Sequence, residues 1–204
     1  MANIIGASGA IIDAELSMAD KEILISGINT SVIKLDSVVK DLNHVLEVKA
    51  EINTTKEIVH FSTLTKDIKL SIKNLINRYN IEIQCDFSEL NEFITIRAYL
   101  YSIFYNLISN SIKYRRVDVP CIIKIKSTLK KNKLEFIFED NGMGIDLKKN
   151  GNELFGLYRR FHANIEGKGM GLYMVKTQVE TLGGKIHIQS KVNSGTKFTI
   201  EFVS

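Results

Sequence analysis

Apolar residues near the start of the chain recur at alternating steps of three and four. The stripe comprises Ile25, Ile28, Val32, Leu35, Val39, Leu42 and Leu46. This a/d spacing predicts a helix whose narrow apolar seam packs against partner helices. Ser17 and Asp20 supply N-capping oxygens just before it. Two arrangements satisfy the pattern, an ordinary helix hairpin and half of a dimeric four-helix bundle, and the regular spacing favours the bundle.

From about Glu51 the pattern changes to short alternating segments mixed with longer amphipathic ones. Strands are predicted at Lys56–Phe61, Ile81–Phe87, Cys121–Leu129, Lys133–Glu139, Lys185–Ser190 and Thr196–Phe202. Helices are predicted at Leu64–Arg78, Arg97–Tyr114 and from about Lys168 to Leu182. The mixed order, without a strict βαβ repeat, predicts a two-layer α/β sandwich with a mixed, mainly antiparallel sheet. We therefore assign residues 1–50 to a helical segment and residues 51–204 to the sandwich domain.

Composition and charge narrow the functional class. Of the 204 residues 45% are hydrophobic and 25% are charged, which is an ordinary globular mixture. The net charge of +4 comes from Lys and Arg spread along the chain, which argues against nucleic-acid binding. Cys85 and Cys121 match no metal or redox spacing, so we expect reduced, partly buried thiols in a cytoplasmic protein. No apolar run reaches the roughly 18 residues that span a bilayer, so we expect no membrane contact within this chain.

Two amides and a lysine share one face of the predicted helix Arg97–Tyr114. Asn106, Asn110 and Lys113 lie at positions i, i+4 and i+7, away from the apolar face that would pack on the sheet. Amide oxygen is a hard ligand suited to Mg²⁺, and lysine is a mobile point charge for phosphate. A solvated helix face would show the same residues, so this stripe alone does not distinguish a metal and phosphate site from an ordinary surface.

Two glycine-rich segments flank predicted elements. Asp140 ends a strand and begins the segment DNGMGI, in which glycines two apart allow a sharp turn and close approach to a ligand. Its carboxylate can accept a hydrogen bond from an amine. The segment GKGMGL, from Gly167 to Leu172, opens a helix, where free amides and the macrodipole favour an anion. A plain surface turn and a flexible hinge remain the alternatives.

The order of the motifs is more informative than any one of them. The chain contains NLISNSIKY, EDNGMGI, LFGLYRRF, GKGMGL and SGTKFTI in succession. In this order and spacing, from about Lys56 to Val203, it resembles the ATP-binding domain of sensor histidine kinases. These belong to a superfamily shared with gyrase, MutL and a heat-shock chaperone ATPase. The resemblance implies a Bergerat-type fold, with ATP and Mg²⁺ as cofactors.

The resemblance also implies a role for each matching residue. Asn110 is expected to ligate Mg²⁺, with Asn106 lining the same site, Lys113 contacting phosphate and Tyr114 lying beside adenine. Asp140 is expected to recognise the adenine amino group in a pocket shaped by glycines and backed by a threonine, namely Gly142, Gly144 and Thr196. A mobile lid is expected to begin with Phe155 and Arg159 or Arg160. The phosphate-binding segment would consist of Gly167, Lys168, Gly169, Gly171 and Leu172.

Asn106 distinguishes a kinase from a hydrolase. ATP-hydrolysing relatives carry a glutamate there as general base, and an amide cannot accept that proton. Phosphoryl transfer to a positioned nucleophile needs mainly alignment and charge neutralisation, for which we expect Asn106 and Lys113 to be the catalytic residues. We therefore expect a histidine kinase. A nucleotide-sensing pseudokinase or adaptor and a serine-directed kinase remain the alternatives.

The phospho-acceptor motif of the resembled family has no match in the chain. That motif is a histidine followed by an acidic or amide residue and, a few positions on, a proline. The histidines are His44, His60, His162 and His187, the one proline is Pro120, and none fits. Asn3–Gly6 resembles the stretch that follows such a motif. We therefore expect an acceptor outside this chain, ATP binding without autophosphorylation, a response regulator as partner, and dimerisation through the N-terminal helices of the full-length protein.

Overall fold

The computed structural model describes residues 17–32, 55–130, 133–151, 154–158 and 169–203. The chain divides into two units, Met1–Ala50 and Glu51–Ser204. In the first unit residues 18–32 form helix α1. None of the helices within the described ranges has the length and apolar character required to cross a membrane.

The start of α1 confirms the predicted cap. The hydroxyl oxygen of Ser17 accepts a hydrogen bond from the backbone N–H of Asp20 at 3.2 Å, and its O–H donates to the Asp20 carboxylate at 2.6 Å. Ile25 and Val32 of the predicted stripe are each 47% exposed. The remaining stripe residues beyond α1, which are Leu35, Val39, Leu42 and Leu46, lie outside the described part of the chain.

The second unit is an α/β domain. Its helices are α2 (Phe61–Ser71), α3 (Lys73–Tyr79), α4 (Arg97–Lys113), α5 (Leu147–Asn150) and α6 (Gly171–Thr181). Its strands are β1 (Glu57–His60), β2 (Glu82–Asp86), β3 (Glu92–Thr95), β4 (Ile122–Lys130), β5 (Lys133–Asp140), β6 (Lys185–Lys191) and β7 (Gly195–Val203). The order of the five-stranded sheet is β2-β4-β5-β7-β6, with only the β2–β4 pair parallel. The predicted mixed, mainly antiparallel sheet is confirmed.

Phe136 of β5 lies at the centre of the hydrophobic core and is fully buried. Its ring packs edge-on against Phe61 of α2 at 4.7 Å, Phe104 of α4 at 5.0 Å and Phe202 of β7 at 6.3 Å, measured between ring centroids. Edge-to-face aromatic pairs each contribute about 0.5–1.5 kcal/mol beyond the burial of their area. This ring cluster packs α2 and α4 against one face of the sheet, where Ser111 of α4 contacts Asp140 at the end of β5.

Two local features differ from the sequence predictions. The segment predicted as one helix, Leu64–Arg78, consists of α2 and α3, which are separated at Ile72 (φ −109°, ψ 15°). The side chain of Ile72 is buried at this break between the two helices. Strand β3 was not predicted, because its four residues carry little alternation and its Ile94 is exposed. It is stabilised by antiparallel pairing with the distant β1, where Ile58 lies opposite Ile94.

Both cysteines are free thiols, as predicted, but they differ in exposure. Cys121 is buried, whereas Cys85 is exposed and not partly buried as the sequence suggested. The β2 strand that carries Cys85 is at the edge of the sheet, and an edge strand has fewer neighbours to cover its side chains.

The N-terminus of α2 is capped by a residue 29 positions away. His60 occupies the N-cap position without a side-chain hydrogen bond. Instead, the side-chain amide of Asn91 accepts from the Ser62 N–H at 3.0 Å and donates to the Ser62 hydroxyl at 3.0 Å. The backbone carbonyl of Asn91 accepts from the Phe61 N–H at 2.8 Å. Free N–H groups at a helix start need such partners.

Replacement of Asn91 by alanine removes the side-chain part of this cap. We expect Asn91→Ala to lower the free energy of unfolding by about 1 kcal/mol, the typical value of a helix cap. Urea denaturation monitored by circular dichroism measures the change. Asn74→Ala, on the exposed surface of α3, is the control and should change stability by less than about 0.5 kcal/mol. Equal stability of the two variants would contradict the capping role of Asn91.

Candidate functional site

The carboxylate of Asp140, at the end of β5, accepts hydrogen bonds from three separate parts of the fold. Its Oδ1 accepts from the backbone N–H of Gly142 at 2.9 Å and from that of Thr196 at 3.2 Å. Its Oδ2 accepts from the hydroxyl of Ser111 in α4 at 3.0 Å. These donors fix the plane of the carboxylate and occupy three of its roughly four lone-pair positions, which leaves one position on Oδ2.

Two opposing effects act on the charge of this carboxylate. Burial raises the pKa of Asp140 above its ordinary value, and the hydrogen bonds from Gly142, Ser111 and Thr196 lower it again in part. The neighbouring Cys121 is affected as well. Burial and, secondarily, the charge of Asp140 raise the pKa of Cys121 to about 11, so that its thiol remains protonated at neutral pH.

Glycines are required where the loop after Asp140 packs against neighbouring backbone. A Cβ atom at Gly142 would lie 2.7 Å from the carbonyl oxygen of Tyr114 and 2.9 Å from Oδ1 of Asp140. At Gly144, where φ is +66°, a Cβ would lie 2.0 Å from the carbonyl oxygen of Lys191. Both positions therefore exclude any side chain, and the loop follows a path that only glycine permits.

Thr196 contributes to the site through its backbone. Its N–H contacts Asp140, whereas its hydroxyl lies 2.9 Å from the hydroxyl of Ser190. The Ser190 oxygen accepts from the N–H of Ile145 at 2.8 Å, and its O–H bonds to the carbonyl of Gly195 at 2.8 Å. Thr196 and Ser190 therefore join β6, β7 and the glycine-containing loop behind the carboxylate.

The polar stripe of α4 lies next to the start of α6. Asn106 donates from its Nδ2 to the carbonyl and hydroxyl oxygens of Ser102, at 2.8 and 3.3 Å. This leaves its Oδ1 facing Gly171, where a Cβ atom would lie only 3.0 Å from Oδ1 and 3.5 Å from Nδ2 of Asn110. The two amides and the glycine are therefore in close contact, and a side chain at Gly171 would press against both amides.

Lys113 and Tyr114 continue this site toward the Asp140 loop. The Lys113 ammonium lies 5.0 Å from the centre of the Tyr114 ring, which is within the range of a cation–π contact. The carbonyl oxygen of Tyr114 accepts from the N–H of Met143 at 2.9 Å. The backbone of Tyr114 thus joins the end of α4 to the loop that follows Asp140.

Part of the predicted lid is described. Leu154 is buried, and Phe155 has its ring 5.7 Å from the ammonium group of Lys176 in α6. Gly169 adopts φ +73°, a conformation that favours glycine, and Leu172 packs against the core from the first turn of α6. Four predicted site residues, which are Arg159, Arg160, Gly167 and Lys168, lie outside the described residues.

Sequence analysis missed three residues that build this site. Ser111 is on the apolar, buried face of α4, where a serine in the sequence is a signal for a buried hydrogen bond. Ser190 carried no signal in the sequence. Asn141 lies between the predicted Asp140 and Gly142; its side chain accepts from the Ile122 N–H at 2.9 Å and donates to the Pro120 carbonyl at 2.8 Å. Each acts by a contact that is distant in sequence.

No cluster of three or more His, Cys, Asp or Glu side chains suitable for a metal occurs in the ranges that the structure covers. The amide oxygens of Asn106 and Asn110 in α4 are of the kind that Mg²⁺ prefers, since this ion binds oxygen ligands and retains several waters. Oδ1 of Asn106 faces Gly171, whereas the atom of Asn110 that faces this glycine is Nδ2.

The chain was compared with known proteins. Residues 95–203, just over half of the chain, match the family model described as histidine kinase-, DNA gyrase B- and HSP90-like ATPase. Sensor protein RprX of Bacteroides fragilis is 29% identical over 130 residues, which cover 61% of this chain and 25% of RprX. The chain thus spans about a quarter of that relative. It spans 42% of ArlS, a signal transduction histidine-protein kinase of Staphylococcus aureus, with 26% identity over 90% of this chain.

Solved structures show the same fold. The histidine kinase AdeS of Acinetobacter baumannii superposes with a TM-score of 0.72 at 21% identity, covering 98% of this chain and 92% of AdeS. The family model includes α4, the Asp140 loop and β7, which together hold the carboxylate. The chain belongs to the histidine kinase-, DNA gyrase B- and HSP90-like ATPase family and carries the ATP-binding domain of a sensor histidine kinase.

Proposed function

We propose that this domain binds Mg-ATP and transfers its γ-phosphoryl group to a histidine outside this chain, with the α4 stripe and the Asp140 loop forming the nucleotide site. The observation that carries the proposal is the Asp140 carboxylate, held by donors from α4, the glycine-containing loop and β7. A partly buried carboxylate fixed by three donors is preorganised to accept a hydrogen bond from a ligand amine.

Asp140 is the residue that recognises adenine in this proposal. The 6-amino group of adenine donates hydrogen bonds, whereas guanine has a carbonyl oxygen at the same position and would oppose the carboxylate. Gly142 and Gly144 shape the loop beside the carboxylate, because a Cβ at either position would clash with neighbouring backbone. The ring of Tyr114, at the end of α4, lies beside the base.

The other end of the nucleotide is assigned to the α4 stripe. Asn110, with Asn106 beside it, would ligate Mg²⁺ through amide oxygens, and Lys113 would contact a phosphate. When bound, Mg²⁺ neutralises charge on the phosphate oxygens. Gly171 lies directly against both amides, since a Cβ there would lie 3.0 Å from the Asn106 amide oxygen and 3.5 Å from Nδ2 of Asn110. Gly167, Lys168, Gly169 and Leu172, together with Phe155 and Arg159 or Arg160 of the lid, would enclose the phosphates.

Transfer to a protein nucleophile fits the site better than hydrolysis. Asn106 cannot act as a general base on water, because an amide does not accept the proton, and its Nδ2 already donates to Ser102. One structural neighbour with the same fold, ShkA, was solved at full length in complex with AMPPNP (TM-score 0.71, 18% identity, covering 98% of this chain and 42% of ShkA). A nucleotide in that protein supports an ATP site here.

The partners also belong to the proposal. Sensor protein RprX and the kinase ArlS are named for signalling, which supports a response regulator as recipient of the phosphoryl group. The heptad stripe of residues 25–46 supports dimerisation of the full-length protein through its N-terminal helices.

The first test concerns the metal. If Asn110 ligates Mg²⁺, Asn110→Ala should raise the Kd of Mg-ATP at least about tenfold, the loss of one good ligand contact. Without Mg²⁺, in EDTA, the same variant should bind ATP within about threefold of the wild type. Isothermal calorimetry measures both constants, with Asn74→Ala as a control for the loss of an exposed amide. An equal loss with and without Mg²⁺ would exclude the metal role.

The second test concerns base selectivity. Asp140→Asn should reduce the preference for ATP over GTP by about tenfold, because a hydrogen bond to a charged group is worth about 1.5–3 kcal/mol and the amide replaces only part of it. Glu139→Gln is the matched control, since it removes the same charge from the adjacent, exposed position of β5. Competition of both nucleotides against a fluorescent ATP analogue gives the ratio. An unchanged ratio in Asp140→Asn would remove this residue from adenine recognition.

The third test separates an active kinase from a nucleotide-binding pseudokinase. The chain as given, incubated with γ-labelled ATP and Mg²⁺, should gain negligible acid-labile, base-stable phosphate, because it lacks the acceptor motif. A longer protein that includes the acceptor histidine should become labelled, and Asn110→Ala in that protein should abolish labelling. Labelling of a histidine in the short chain would refute the external acceptor. A longer protein that binds ATP but is never labelled would identify a pseudokinase.

A further inference from the structure

The guanidinium group of Arg116, just after α4, connects two distant turns. Its Nη1 donates to the carbonyl oxygen of Asn193, 77 residues further along the chain, at 2.9 Å. Its Nε and Nη2 donate to the two carboxylate oxygens of Asp118 at 3.2 and 2.5 Å. A planar guanidinium can hold a carboxylate with one edge and a carbonyl with another. Asp118 therefore fixes the orientation in which Arg116 holds Asn193.

Asn193 belongs to the turn between β6 and β7, and this turn is bonded to the Asp140 loop. The N–H of Asn193 donates to the carbonyl of Met143 at 2.7 Å, and the N–H of Met143 donates to the carbonyl of Tyr114 at 2.9 Å. Asn193 adopts φ +60°, which few residues other than glycine tolerate, although asparagine does so more readily than most. The contacts of Arg116 and Met143 hold the turn in this conformation.

The same turn leads directly into the residue that supports Asp140. A Cβ at Gly195 would lie 1.8 Å from the carbonyl oxygen of Asp140, so the turn contacts the β5 backbone with no space between them. The next residue, Thr196, donates its N–H to Asp140 Oδ1 at 3.2 Å, a longer bond than the one from Gly142. A small displacement of the turn would break this bond first.

We propose that Arg116 is a positioning residue for adenine recognition, because it fixes the β6–β7 turn and thereby keeps the Thr196 N–H on the Asp140 carboxylate. Arg116 does not contact the nucleotide in this scheme. The inference rests on the proposed function, since it takes Asp140 to bind the adenine amino group.

Arg115 provides a control of the same charge at the adjacent position. Its guanidinium lies 3.5 Å from the centre of the Tyr79 ring in α3 and donates to the Ile112 carbonyl at 3.0 Å. Both of these contacts are on the α3–α4 side, away from the β6–β7 turn. Any general effect of positive charge on the binding of an anionic nucleotide is therefore common to Arg115→Ala and Arg116→Ala, whereas the effect on the turn is specific to Arg116.

The experiment measures the Kd values of Mg-ATP, Mg-GTP and inorganic tripolyphosphate with Mg²⁺. We expect Arg116→Ala to raise the Kd of ATP by about tenfold and to lower the preference for ATP over GTP by a similar factor. Tripolyphosphate binding should stay within about twofold of that of Arg115→Ala, because the phosphate end is not supported by the turn. Arg116→Lys keeps one donor for Asn193 but loses the fork, so it should give a smaller loss in the same direction.

Hydrogen exchange in the nucleotide-free protein tests the structural step separately. The amides of Asn193 and Thr196 should exchange faster in Arg116→Ala and in Asp118→Asn than in the wild type or Arg115→Ala. If Arg116→Ala fails to fold, Arg116→Lys and Asp118→Asn decide the matter by the same two readouts.

Three outcomes would overturn the inference. An ATP/GTP ratio in Arg116→Ala equal to that in Arg115→Ala, with a wild type that still selects ATP, would refute it while the proposed function stands. A parallel loss for ATP, GTP and tripolyphosphate would show general destabilisation and not positioning. Wild-type protein that fails to bind ATP at all would refute the proposed function, and the positioning role of Arg116 with it.

Discussion

Three parts of the fold meet at one largely buried group, the Asp140 carboxylate, which accepts three hydrogen bonds. A charged group that is removed from water needs such donors, because burial alone raises the free energy of its ionised form. The donors come from α4, from the loop after β5 and from the start of β7. Their convergence requires that the helix layer and two neighbouring strands be held in fixed relation, which the aromatic cluster around Phe136 provides.

Close backbone packing is the second constraint around this carboxylate. Gly142, Gly144 and Gly195 each occupy a position where a Cβ would lie less than 3 Å from neighbouring backbone. The loop after Asp140 and the β6–β7 turn are therefore in direct contact, main chain against main chain. Side chains then act as cross-links between these segments, with Ser190 joining the loop to β7 and Arg116 joining the turn to the end of α4. These contacts and cross-links leave the backbone around the carboxylate little conformational freedom.

The α4 stripe, which comprises Asn106, Asn110 and Lys113, forms the other end of the candidate site. Asn106 is oriented by Ser102 one turn earlier, so its amide oxygen faces the glycine that begins α6. Gly171 has no side chain, which allows the two helices to approach closely at this point. In the proposed function, phosphoryl transfer needs neutralisation of phosphate charge and alignment of groups, which the amides and the lysine would supply without a general base.

The sequence alone determined the family and most strand and helix positions, because these are encoded in local patterns, and it predicted the site residues on α4 and in the Asp140 loop. Alternating apolar residues identify β5 and β7, the i, i+4, i+7 spacing aligns Asn106, Asn110 and Lys113, and the glycine motifs occur in a distinctive order. The local sequence pattern did not predict the short strand β3, because its four residues form a strand through pairing with the distant β1.

Only the tertiary structure decided which distant groups meet. Ser111 lies 29 residues from Asp140, Thr196 lies 56 from it, and Asn193 lies 77 from Arg116. A hydrogen bond depends on the position of both partners to within a few tenths of an ångström. Those positions are set by how the sheet and helices pack, and no local segment of sequence contains that information.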